Sequence, residues 1–160
     1  RLISAALLIW LGLQDAPLAS AVVVSVLAWA TDMLDGWAAR HATTPTRLAP
    51  YDFAIDTVLY GGILAYLTLV HYLPVLGVLS FAVLAVIASL VFQGKAVKIL
   101  AVRLIDLACA VVVFIHEPML GWLIVLWLAV MTLVYRRRLA ERVPLWLAEL
   151  ARLAGKRDRV

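Results

Sequence analysis

Long apolar runs alternate with short polar or Pro-containing breaks along this chain. The apolar stretches cover residues 2–13, 18–40, 50–70, 74–92, 97–115 and 119–135. The breaks are Gln14-Asp15-Ala16-Pro17, Arg40 to Pro50, His71-Tyr72-Leu73-Pro74, Gln93 to Lys98, and His116-Glu117-Pro118. A helix that spans a bilayer needs about 20 mainly apolar residues, within a range of roughly 17–25. Proline at the end of the outer breaks suits the start of a fresh helix. The pattern therefore predicts an all-α, polytopic integral membrane protein with six transmembrane helices. The first stretch is too short to span alone. The sequence begins at Arg1 rather than Met, so we expect it to be a piece of a longer chain whose first helix starts earlier.

The cations sort by side. Arg1 precedes the first stretch, Arg40 and Arg47 lie in the second break, Lys95, Lys98 and Arg103 lie at or just beyond the fourth, and an Arg run follows the last. The opposite breaks carry no Lys or Arg. Cytoplasmic loops are enriched in these residues. Both termini and the connectors 40–50 and 93–98 are thus expected on the cytoplasmic side. A secretory signal peptide does not fit a chain in which segment after segment is apolar. Residues 1–138 form the expected membrane domain. Residues 139–160 form a basic cytoplasmic tail, for which a short helix on the headgroups and a solvated segment are equally good descriptions.

Composition narrows the class. Of 160 residues, 66% are hydrophobic and 15% charged, against about 45–50% and about 25% in soluble domains, which excludes an ordinary soluble enzyme. The one cysteine, Cys109, lies in an apolar run and is expected to be an inert thiol. The net charge of +4 comes from the tail, where residues 136–160 hold eight Lys/Arg against three Asp/Glu. That placement suits anionic lipid headgroups or a topology signal. Nucleic acid is not an expected partner, because no aromatic-basic interleaving is present.

Four carboxylates stand out against this background. Asp32 and Asp35 are three apart, and Asp52 and Asp56 are four apart, so each pair shares a helix face. Both pairs flank the same cytoplasmic connector, and a short loop lets all four converge on a polar, cytoplasm-facing cavity. A charged Asp at the centre of a membrane helix costs about 2.5–3.5 kcal/mol on insertion scales. Protonation, basic partners or a divalent cation would relieve that cost and the mutual repulsion. Oxygen-only ligands without His or Cys favour a hard ion such as Mg²⁺, Mn²⁺ or Ca²⁺. Mg²⁺ keeps positions open for substrate phosphates, which points to phosphate chemistry. Gly36, Ala38 and Ala39 leave one side of the helix nearly bare beside Asp35 and Arg40, as a bulky ligand or a close helix needs.

The run Asp32-x-x-Asp35-Gly36-x-x-Ala39-Arg40 followed by Asp52-x-x-x-Asp56 resembles the signature of the CDP-alcohol phosphotransferases, six-helix membrane enzymes of phospholipid synthesis. Every defined position but one is kept. Leu48 stands where the family places a glycine, and the gap after Arg40 is one residue shorter. The resemblance implies transfer of a substituted phosphate group, expected to be phosphatidyl, from a CDP-linked lipid donor such as CDP-diacylglycerol to an alcohol, with release of CMP. It implies that Asp32, Asp35, Asp52 and Asp56 hold two Mg²⁺ or Mn²⁺ ions and that Asp56 is also the general base. It places Gly36, Ala39, Arg40 and Thr46 against the CDP moiety. It further implies a homodimer in a bacterial inner membrane.

Lys95 and Lys98 share a helix face and, with Arg103, would suit the phosphate of an acceptor such as glycerol 3-phosphate. The Gly94-Lys95…Lys98 run loosely resembles the corresponding segment of phosphatidylglycerophosphate synthases. The same cations also serve as topology signals, and Arg103 is placed to pair with Asp106 at i,i+3. His41 neighbours Arg40, whereas His71 and His116 fall on the outer side. Gly61-Gly62 fits close helix packing. Two other classes compete with the enzyme: an ion- or proton-coupled transporter, which intramembrane acids also mark, and an inactive relative that scaffolds partners. A transporter should carry acids through the outer half as well; here only Asp15 and Glu117 lie in outer connectors.

Overall fold

The computed structural model describes residues 1–41, 51–92, 95–134 and 136–155; within its helices the side chains of 33, 36–41, 52, 95, 137–139, 142, 149–150 and 152–155 lie outside that description. The chain is all-helical, with no strand among the described residues. Seven helices follow one another: α1 (Leu2–Leu13), α2 (Leu18–His41), α3 (Asp52–Leu69), α4 (Val75–Phe92), α5 (Lys95–His116), α6 (Pro118–Val134) and α7 (Arg136–Gly155). The first six coincide with the apolar stretches to within about two residues at each end, the usual uncertainty of helix limits. The tail is helical through Gly155, with Pro144 inside it.

Two helices are long and apolar enough to cross a membrane, α4 over Val75–Phe92 and α5 over Ala96–His116. None of the α4 stretch is buried. A soluble protein would bury such a helix rather than leave it bare.

The helices form two compact units, residues 1–78 and 79–160. In the first, α1 and α3 pack most intimately. The buried side of α1 is Ala5, Leu8 and Gly12, and that of α3 is Leu59, Gly62, Ile63, Tyr66 and Leu67, both at helical spacing. Gly62 lets the backbones meet: a Cβ there would lie 2.9 Å from Ala5 Cα and 3.0 Å from Ala5 O. Gly12 does the same further along, 3.2 Å from Tyr66 Cα. Small residues permit this approach between helices. Gly61, its neighbour, faces open space.

The turns after α1 and α3 end their helices in the same way. Asp15 (φ 49°) and His71 (φ 62°) adopt the left-handed conformation just past the caps of α1 and α3. The Asp15 and Ala16 amides then donate to Gly12 and Leu11 carbonyls at 3.2 and 3.0 Å, satisfying the last turn. Tyr66 hydroxyl donates to Ala16 O at 2.7 Å and ties α3 to the turn between α1 and α2.

In the second unit, α5 packs on α6 and α7. Gly121 sits against the Phe114 ring, and Phe114 meets Trp122 edge-to-face at 5.6 Å. Trp146 of α7 donates from Nε1 to Ala96 O at 3.4 Å.

Candidate functional site

Packing of α1 on α3 brings the start of α1 beside the start of α3 and beside Asp32, just past the middle of α2. Arg1 is the N-cap of α1 but makes no side-chain capping bond. Its guanidinium instead reaches both neighbours. Nη2 is paired with Asp32 Oδ1 on α2, and Nη1 with Asp56 Oδ1 on α3 at 2.5 Å. One planar cation thus joins a carboxylate from each half of the motif. The arginine side chain is only 9% exposed, while its partners Asp32 and Asp56 are 57% and 40% exposed. The cation is the enclosed member, and the acids face outward.

Two neighbouring hydroxyls bond within their own helices. Thr31 donates to Ala28 O and Thr57 to Phe53 O, both at 2.8 Å, each within its own helix. The guanidinium bonds to both acids are charge-assisted, and such bonds are stronger than those of a hydroxyl.

Of the other residues singled out from the sequence, Asp35 is on α2, three residues past Asp32 and exposed. Asp52 opens α3 one turn before Asp56, with its side chain outside the described set. The side chains of Gly36, Ala39, Arg40 and Lys95 are also outside it, and Thr46, Arg47 and Leu48 lie in a segment outside the described residues altogether. Among the described residues, no group of three or more His, Cys, Asp or Glu side chains gathers as a metal ligand set. Asp32 and Asp56, both oxygen donors, share the Arg1 cation.

Lys98 and Arg103 are on α5 in the second unit. Arg103 donates from Nη1 to Asp106 Oδ2 at 2.7 Å, the i,i+3 pair that their spacing suggested. His71 and His116 are exposed at the ends of α3 and α5.

Arg1 is the residue at this cluster that local motif spacing does not reveal. It is 31 residues from Asp32 and 55 from Asp56, beyond any helical period. The signal that pointed toward it was the sorting of Lys and Arg by side, which puts Arg1 at the same end of the helices as the acids.

Against known proteins, no family model, no curated protein and no solved structure matches this chain.

Proposed function

We propose that this protein is a six-span membrane enzyme of the CDP-alcohol phosphotransferase type, which moves a substituted phosphate, phosphatidyl in the first instance, from a CDP-linked lipid donor to an alcohol. The observation that carries this is the meeting of Asp32 and Asp56, from separate helices, on one cation. Exposed apolar side chains along α4, among them Leu76, Leu79, Leu84 and Leu90, support the membrane setting. The one-sided distribution of Lys and Arg along the sequence supports a reading in which both termini and the acids would face the cytoplasm.

Asp32, Asp35, Asp52 and Asp56 would hold Mg²⁺ or Mn²⁺, which when bound supplies charge stabilisation to the attacking and leaving oxygens. Asp56 accepts the proton of the acceptor hydroxyl as its oxygen bonds to the donor's phosphatidyl phosphorus. The anhydride bond to the CMP phosphate breaks, and CMP leaves with the bridging oxygen. By the resemblance, Gly36 and Ala39 would lie against the CDP moiety, and Arg40 would offer a fork of N–H donors to its diphosphate. On the sequence resemblance alone, Lys95 and Lys98 are the candidate cations for a phosphorylated acceptor, Arg103 being engaged by Asp106.

The test is incubation of the purified chain with CDP-diacylglycerol, Mg²⁺ or Mn²⁺ and a panel of alcohols, following CMP release and lipid product. The expected result is alcohol-dependent CMP release that a chelator stops. No release with any alcohol, from protein that is folded and metal-replete, overturns the proposal in favour of a scaffold or a transporter.

A further inference from the structure

We propose that Arg1 is the resident counter-cation of the Asp32–Asp56 pair, and that a divalent cation takes over the pair by displacing its guanidinium. This inference rests on the metal-dependent function above and adds a residue outside the motif to it. Three features of the geometry support it.

First, the guanidinium holds one oxygen of each acid, one per terminal nitrogen. An ion that coordinated both carboxylates would need those same oxygens or their immediate neighbours. Second, the guanidinium is enclosed and the acids are open. An ion arriving from outside meets Asp32 and Asp56 on their exposed side without first passing the arginine. Third, arginine stays protonated at any ordinary pH. It therefore leaves the acids by being outcompeted, not by titrating. A divalent ion carries twice the charge and approaches oxygen at about 2.0–2.1 Å for Mg²⁺, so it wins the oxygens. Its net affinity is lowered by the charge-assisted bonds it must break, those of Arg1 to Asp32 and Asp56 among them.

The arrangement offsets one of the two negative charges of Asp32 and Asp56 when no metal is bound. It predicts that removing Arg1 makes metal binding tighter and the metal-free protein less stable. An arginine with a merely structural role would move stability alone.

The experiment titrates the full chain in detergent micelles with Mn²⁺, following free Mn²⁺ by EPR. The wild type is compared with Arg1→Gln, Arg1→Lys and Asp32→Asn. The Arg1→Gln dissociation constant should fall about tenfold or more, because two charge-assisted hydrogen bonds no longer oppose the ion. Arg1→Lys should fall between Arg1→Gln and the wild type, since an ammonium is a point charge without the fork. Asp32→Asn should weaken binding. Without metal, Arg1→Gln should melt below the wild type, and saturating Mn²⁺ should close the gap. Equal or weaker Mn²⁺ binding in Arg1→Gln, at a saturable site, overturns the displacement and leaves the metal site standing. No saturable Mn²⁺ site in any of the proteins overturns the metal-dependent function and this inference with it. Should Arg1→Gln fail to fold, Arg1→Lys decides, and wild-type affinity in that variant counts against displacement.

Discussion

Replacing Gly62 by alanine tests the α1–α3 packing on which the acid pair depends. A methyl group at this position would lie 2.9 Å from Ala5 Cα, 3.0 Å from Ala5 O and 3.1 Å from Ala5 Cβ. Carbon atoms pack best at about 3.5–4.0 Å, so α1 and α3 must part by roughly 0.6–1 Å. Two of the three obstacles are backbone atoms, which no side-chain rotation removes. Overpacking of this kind costs about 1–3 kcal/mol. For a chain of this size that corresponds to a melting temperature lower by roughly 2–12 °C. Gly61→Ala is the matched control. Its methyl meets nothing within 4 Å, and alanine in a helix interior is favoured over glycine by about 0.8–1 kcal/mol. The neighbouring substitutions should therefore have opposite signs. Thermal unfolding of both variants in the same detergent, followed by circular dichroism, makes the comparison. CMP release should fall with stability in Gly62→Ala, because Arg1 is four residues from Ala5 and rides on the displaced helix. Equal melting temperatures for the two variants would refute the close approach of α1 to α3.

Further outcomes are expected. Asp56→Asn should abolish CMP release while leaving the fold and metal-dependent nucleotide binding in place; full turnover in that variant would remove Asp56 as the base. Tyr66→Phe loses the hydroxyl donated to Ala16 O and should cost about 1 kcal/mol, read as a small drop in melting temperature with unchanged Mn²⁺ affinity. Arg103→Gln discriminates between two roles: because Arg103 is engaged by Asp106, it should leave KM for a phosphorylated acceptor unchanged, and a large rise in KM would return Arg103 to the acceptor site.

The helices were legible because hydrophobic periodicity and helix-stopping residues are local. The apolar stretch 2–13 became Leu2–Leu13, 18–40 became Leu18–His41, and 74–92 became Val75–Phe92. The turn at Asp15 was visible as a polar break before Pro17, but its left-handed backbone was not. The tail was ambiguous because Leu and Trp alternate with Glu and Arg around Pro144 there, and it is helical to Gly155. The Arg103–Asp106 pair was readable because three residues along a helix is a fixed distance. Gly61-Gly62 was readable as a packing motif, but not which glycine packs. Successive helical residues point about 100° apart, so only the position of α1 chose Gly62.

The candidate site divides along the same line. That Asp32 and Asp35 share a face of α2 and that Asp52 and Asp56 belong to α3 follow from spacing alone, since helix geometry converts sequence separation directly into direction. That Asp32 and Asp56 meet on Arg1 was decided by tertiary structure alone. Residues 31 and 55 positions apart have no fixed geometry until α1 docks on α3 and α2 folds back beside them.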